Sequence, residues 1–129
     1  MKKKYLIVIA DYYKDISRGL LSSAKKVLPK SSIIKVINVP GVFEIPVTIS
    51  KNIKKYDAFL ALGCVIKGQT PHFDFISHAS TDAIMKLSID NKKPIGNGII
   101  TCLNLKQAAA RKKKGREAAE AAMSVLSQK

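Results

Sequence analysis

The sequence predicts one α/β domain in which helices cover both faces of a four-stranded parallel sheet. Three observations predict this three-layer α/β/α fold. Apolar runs typical of strands alternate with segments whose apolar residues recur every three or four positions. The strand runs are almost continuously apolar, which indicates a sheet covered on both faces. With 129 residues and 47% hydrophobic composition, the chain is large enough for one core and shows no second domain.

The first half of the chain is expected to form two strands and two helices. Strands are predicted at residues 5–10 and 33–39. The helix between them covers residues 16–28 and ends at the proline that follows. A second helix is predicted over residues 43–53, where Pro46 is tolerated because it lies in the first turn.

The second half is expected to add two strands and three helices. The third strand covers residues 57–62 and precedes a long helix at 73–89. The fourth strand covers residues 95–101, and two helices at 103–112 and 117–126 follow it. Strands that alternate with helices pair in parallel through right-handed crossovers.

Several candidate ligand-binding residues follow the ends of the predicted strands. Tyr12, residues 40–44, residues 64–72 and Cys102 all come just after a strand. In open parallel sheets, ligands bind outside the carboxyl ends of the strands. We therefore expect these segments to meet at one edge of the domain.

The loop that begins at Gly63 is the most informative of these segments. It carries two glycines, a lysine and a threonine, and the helix at 73–89 starts directly after it. Backbone N–H groups and the positive end of a helix dipole together suit a phosphate. His72 lies beside this loop, where the helix dipole favours a neutral imidazole that can act as a base. The alternative for His72 is a purely structural place at the helix start, and His78, inside the helix, is expected to be structural.

Two further clusters allow a structural and a functional interpretation. In the structural interpretation, Gly41 belongs to a turn after a strand, and Glu44 in the first turn of a helix complements the helix dipole. They could equally let a planar ligand approach a bare backbone. Tyr12 and Tyr13 either close a turn as an exposed pair or present a ring that stacks on a heterocycle.

The formal charge of +14 comes from 20 lysines and three arginines, set against nine acidic residues. These cations are spread along the whole chain, which favours a solvated lysine-rich surface over dedicated nucleic-acid binding. The densest run covers residues 111–116. If the last helices fold back over the sheet edge of this or a neighbouring chain, Arg111 or Lys114 could hold a phosphate.

The cysteines and the apolar runs bear on the compartment. Cys64 and Cys102 lack metal-site spacing, so free thiols in the cytoplasm are expected. No apolar run is long enough for a membrane span, and the start of the chain does not resemble a signal peptide.

Three segments resemble the 6,7-dimethyl-8-ribityllumazine synthase family. They are residues 40–46 (PGVFEIP), 61–73 (ALGCVIKGQTPHF) and 94–101 (PIGNGIIT), which occur in the family's order. The resemblance covers nearly the whole chain and implies a flavodoxin-like fold. It also implies the condensation of 5-amino-6-(D-ribitylamino)uracil with 3,4-dihydroxy-2-butanone 4-phosphate, without a metal or another cofactor.

The resemblance implies roles for individual residues. His72 matches the catalytic histidine. Arg111 matches the family's phosphate-binding arginine, with Lys114 as its rival because the segment after Arg111 is short. The positions that match the ribitylaminouracil site are Tyr12, Val42, Phe43, Glu44, Cys64, Val65, Ile66 and Asn97. Those that match the site for the butanone phosphate are Gln69, Thr70, Arg111 and Lys114.

The resemblance also implies a homo-oligomer whose subunits share active sites, with Asn97 contributed by the adjacent subunit. The family's extra N-terminal strand is missing, the connection after Arg111 is short, and the chain is strongly cationic. These features favour an isolated pentamer or a pair of pentamers over a closed shell. A functional link to riboflavin synthase is expected. The alternatives are a non-catalytic flavin or lumazine carrier and a basic RNA-associated domain.

Overall fold

A four-stranded, entirely parallel sheet forms the centre of the computed structural model, which describes residues 2–68 and 72–128. Its strands lie in the order β2-β1-β3-β4. This confirms the predicted sheet. The strands are β1 (Lys4–Ala10), β2 (Ile33–Val39), β3 (Ala58–Ile66) and β4 (Ile95–Cys102).

Helices cover both faces of the sheet, which confirms the three-layer α/β/α prediction. They are α1 (Lys14–Val27), α2 (Ile45–Lys51), α3 (Phe73–Asn91), α4 (Leu105–Ala110) and α5 (Lys114–Leu126). Buried residues of α1, α4 and α5 share one core cluster. Those of α2 and α3 belong to a second cluster on the opposite face.

The two central strands supply nearly half of the buried apolar residues because both of their faces are covered. Every residue of β3 is buried. Alternation along the strand sends Leu60 and Leu62 toward α1 and α5, and it sends Phe59 and Ala61 toward α2 and α3. Each large side chain buried in this way contributes about 1.5–3 kcal/mol relative to an exposed one.

Helix α5 lies against its neighbours with almost no side chain between the backbones. A Cβ atom placed on Gly96 of β4 would collide with the main-chain carbonyl of Ala118 in α5. A Cβ atom on Gly115 would collide with the carbonyl of Leu20 in α1. The hydroxyl of Ser23 donates to the main-chain oxygen of Leu20, at 3.0 Å, beside the same contact. Glycine at these positions therefore lets α5 approach both elements.

Strand β3 is longer than predicted. It continues four residues beyond the expected end, so Cys64, Val65 and Ile66 lie in the strand and not in a loop. The prediction was wrong because Gly63 was interpreted as a break. In the structure, Gly63 leaves space for Val42, whose Cγ2 atom would lie 2.9 Å from a Cβ atom there. Pairing with β4 then carries the ladder on through Cys102.

All five helices differ from the predicted ones at one or both ends, by up to three residues. The helix expected at 43–53 opens with a 3₁₀ turn at Val42–Glu44 and ends at Lys51. The helix expected at 103–112 covers only α4, because the Asn104 side chain accepts from Gln107 N at 2.8 Å and caps it. Helix α5 begins three residues earlier than predicted, since Gly115 packs within its first turn.

Candidate active site

A cavity of about 350 Å³ opens at the carboxyl ends of the central strands. After β2 the chain crosses to the other side of β1, so that β1 and β3 flank a topological switch point. This brings together every predicted uracil-site residue except Asn97. The lining comprises Tyr12, Tyr13, Gly41, Val42, Phe43, Glu44, Cys64, Val65, Ile66 and Ile76.

The 3₁₀ turn after β2 forms one wall of this cavity. Glu44 N donates to the carbonyl of Gly41 at 3.1 Å, which closes the turn. Because Gly41 has no side chain, the Glu44 carboxylate folds back beside the backbone, with Oε1 3.2 Å from the place of a Cβ atom. Val42 is buried against β3, whereas Phe43 is exposed at the cavity mouth. The turn thus presents a carboxylate and an aromatic ring on a fixed backbone.

An aromatic pair also lines this cavity. The rings of Tyr12 and Tyr13 meet edge to face, with centroids 4.8 Å apart and planes at 83°. Tyr12 is 72% exposed, while Tyr13 is partly buried against the core. Burial raises the pKa of Tyr13, with smaller contributions from Cys64 and Tyr12. The family resemblance assigned a role to Tyr12 alone, and the structure places Tyr13 in the same cavity, as the open functional interpretation of this pair allowed.

Cys64 contributes a neutral thiol to the cavity. Burial raises its pKa to about 12, and the neighbouring Cys102 thiol adds to the shift. Both cysteines are free and buried, as expected for free thiols. Their strands pair with a two-residue offset, since Cys64 lies opposite Ile100 and Cys102 lies opposite Ile66. At neutral pH Cys64 therefore acts as an apolar wall and not as a nucleophile.

His72 lies next to this cavity. A second cavity of about 420 Å³ is lined by Phe43, His72, Phe75 and Ile76, of which Phe43 and Ile76 also line the first. His72 is exposed at the start of α3, and its carbonyl accepts from Ile76 N at 2.8 Å. The predicted phosphate residues Gln69 and Thr70 lie outside the described residues.

Asn97, Arg111 and Lys114 lie in a different place. They line a third cavity of about 680 Å³ along the edge strand β4, and it shares no lining residue with the other two. Within the chain, Arg111 Nη1 donates a hydrogen bond to the carbonyl of Thr101 at 3.2 Å. Lys114 Nζ lies 3.4 Å from Glu117 Oε1. One chain therefore does not bring these three predicted residues into the cavity that holds Tyr12.

The described part of the chain contains no group of three or more histidine, cysteine or carboxylate side chains placed to hold a metal ion. Over the same residues, none of the helices has the length and apolar character needed to cross a membrane.

Comparison with known proteins identifies the family. The sequence model for 6,7-dimethyl-8-ribityllumazine synthase matches residues 2–129. A 6,7-dimethyl-8-ribityllumazine synthase of Bartonella bacilliformis is 44% identical over 96% of this chain and 88% of its own length. One from Agrobacterium fabrum is 41% identical over 98% and 95%, and one from Rhodopseudomonas palustris is 42% identical over 94% and 82%. The chain therefore belongs to the 6,7-dimethyl-8-ribityllumazine synthase family, the transferases that form 6,7-dimethyl-8-ribityllumazine in riboflavin biosynthesis.

Proposed function

We propose that the cavity between β1 and β3 binds 5-amino-6-(D-ribitylamino)uracil for condensation with 3,4-dihydroxy-2-butanone 4-phosphate. The products are 6,7-dimethyl-8-ribityllumazine, phosphate and water. One observation carries this assignment of the site. Segments from three strand ends gather in a single cavity, and His72 lines the cavity beside it.

The cavity has the size and chemistry for a pyrimidine. Its volume of about 350 Å³ is within the range of small-molecule sites. Tyr12 supplies an exposed ring for stacking, and the end of β3 supplies backbone groups that can read the edge of the heterocycle. The Glu44 carboxylate can accept hydrogen bonds from hydroxyl or amino groups of the ribitylamino substituent.

The reaction consists of bond exchanges that need positioning and proton transfer. The 5-amino group attacks the ketone, and one water leaves as the imine forms. The C–O bond to phosphate breaks, the enol tautomerises, and the ribitylamino nitrogen closes the ring with loss of a second water. Holding both substrates face to face should contribute much of the acceleration. His72 moves protons between the reacting nitrogen and oxygen atoms.

Mixing the purified protein with both substrates tests the function. Growth of the lumazine absorbance together with release of phosphate is the expected result. Binding of the uracil without product formation would favour a carrier. Salt-dependent retention of RNA, with neither uracil binding nor lumazine formation, would favour the RNA-associated alternative.

The third cavity supports an active site shared between subunits. Asn97, Arg111 and Lys114 lie apart from Tyr12 and His72 within the chain, so a neighbouring subunit is the source that could bring them to the substrates. Exposed apolar side chains of α3, namely Phe75, Met85 and Ile89, supply a surface for such contacts. The proposed enzyme is a cytoplasmic homo-oligomer with a functional link to riboflavin synthase and no nucleic-acid partner.

Sedimentation should show a pentamer or a pair of pentamers. The family resemblance implies a ring-shaped pentamer. The formal charge of +14 on every chain makes pentamers repel one another at low salt. Analytical ultracentrifugation at moderate salt measures the assembly. A megadalton-class particle would contradict the isolated ring, and an active monomer would contradict the shared site as well.

Arg111→Ala should raise the KM for the butanone phosphate about tenfold, with a smaller change for the uracil. Only the former substrate carries phosphate, and an arginine fork binds phosphate through two charge-assisted hydrogen bonds. Lys114→Ala should have less effect, because Lys114 already pairs with Glu117. Steady-state kinetics with each substrate varied in turn gives both KM values.

Arg116→Ala provides the matched control for this measurement. Arg116 is exposed on α5, pairs with Glu120 at 3.4 Å and does not line the third cavity. Its replacement should leave both KM values unchanged. A larger effect at Lys114 than at Arg111 would transfer the phosphate role to the lysine.

A further inference from the structure

We propose that Tyr13 is a positioning residue that holds the ring of Tyr12 in the orientation needed to stack on the pyrimidine. This inference rests on the proposed function of the cavity between β1 and β3. It assigns a task to a residue that the motif resemblance left without one.

Tyr12 alone is poorly constrained. Its side chain is 72% exposed, so packing against the core does not fix the ring. Its ring contacts the ring of Tyr13 edge to face, with 4.8 Å between the centroids. A ring with this much exposure can change its χ1 and χ2 angles, and a change of rotamer reorients the face that would stack on the pyrimidine.

Tyr13, by contrast, is anchored at both ends. Its carbonyl accepts from Ser17 N at 2.9 Å, in the first turn of α1. Its ring is partly buried and packs on the core cluster shared by α1 and α5. Tyr13 therefore has a fixed place, and the near-perpendicular angle of 83° presents one aromatic ring edge-on to the other.

In this geometry Tyr12 supplies the stacking face and Tyr13 fixes its orientation. Edge-to-face aromatic pairs are favourable beyond their buried area because a positive ring edge meets a negative ring face. The contact preorganises Tyr12 before the substrate arrives, which lowers the ordering cost of binding. A preorganised stacking face acts on the bound substrate and the transition state alike, so its loss should appear in KM and not in kcat.

Tyr13→Leu and Tyr13→Phe test the proposal in the full-length oligomer. Tyr13→Leu should raise the KM for the uracil about fivefold, within the range expected for one aromatic pair. The kcat and the KM for the butanone phosphate should stay within about a factor of two. Tyr13→Phe keeps the ring and should restore the KM for the uracil to the wild-type value.

A double-mutant cycle separates positioning from a general structural role. In a Tyr12→Ala background, Tyr13→Leu should have no further effect on the KM for the uracil, because no ring remains to be held. Equal effects in both backgrounds would overturn the inference. Tyr13→Met, which fills similar space without a ring, replaces Tyr13→Leu in the cycle should the leucine variant not fold.

Tyr56→Leu is the control. Tyr56 makes a comparable edge-on contact with Phe59, at 6.1 Å and 69°, but it does not line the cavity. Its replacement should leave the KM for the uracil unchanged.

Calorimetric binding of the uracil alone distinguishes the inference from the proposed function. Absence of lumazine with the wild-type protein would reject the function, while weaker uracil binding by Tyr13→Leu would still support the positioning role. Lumazine formation with an unchanged KM in Tyr13→Leu would reject the positioning role alone.

Discussion

His72→Ala is expected to lower kcat for lumazine formation about a hundredfold and to leave measurable activity. General acid–base catalysis by one side chain contributes typically about 10²–10⁴-fold, and water takes over part of the proton transfer when the imidazole is lost. Positioning of the uracil survives, because the cavity between β1 and β3 does not include His72 in its lining. Steady-state kinetics with both substrates at saturation measures the change.

His78→Ala is the matched control for that experiment. His78 is also exposed on α3, but it lines neither the first nor the second cavity. Its replacement should leave kcat unchanged. Retention of the full rate in His72→Ala would remove His72 from the mechanism.

Gly115→Ala is expected to lower the free energy of unfolding by about 2 kcal/mol. A Cβ atom at this position meets the main-chain carbonyl of Leu20 and lies 2.6 Å from the Ser23 hydroxyl, so α1 and α5 must separate. Overpacking of this kind costs about 1–3 kcal/mol, and it exceeds the gain of up to about 1 kcal/mol from the better helix propensity of alanine. Urea denaturation at a fixed protomer concentration measures the loss.

Gly19→Ala separates the collision from the helix propensity. Gly19 lies inside α1, and the atoms nearest to a Cβ atom there belong to the side chain of Lys112, including its Cβ at 2.9 Å, so this side chain must shift. This substitution should cost less than Gly115→Ala, because a side chain moves more easily than a main-chain carbonyl while the gain in helix propensity is the same. Equal stability of Gly115→Ala and the wild type would show that the α1–α5 contact is looser than the structure describes.

The candidate site was predictable to the extent that its residues follow strand ends. The motif around residues 61–73 pointed to β3 and to His72, and residues 40–44 pointed to the turn after β2. The role of Tyr13 stayed open in the sequence, because an aromatic pair after a strand fits a turn equally well. Gly63 misled the prediction of β3, since a glycine that makes room for Val42 resembles a glycine that ends a strand.

The α/β class, the four strands and the family were all predictable from the sequence, because periodicity and motifs are local properties of the chain. Which distant segments meet became known from the folded chain alone. The strand order β2-β1-β3-β4 gathers Tyr12, the turn after β2 and the end of β3 into one cavity. The same order leaves Asn97 and Arg111 at the β4 edge. Sheet order and crossovers set the distances between residues far apart in sequence, and no local sequence pattern contains that information.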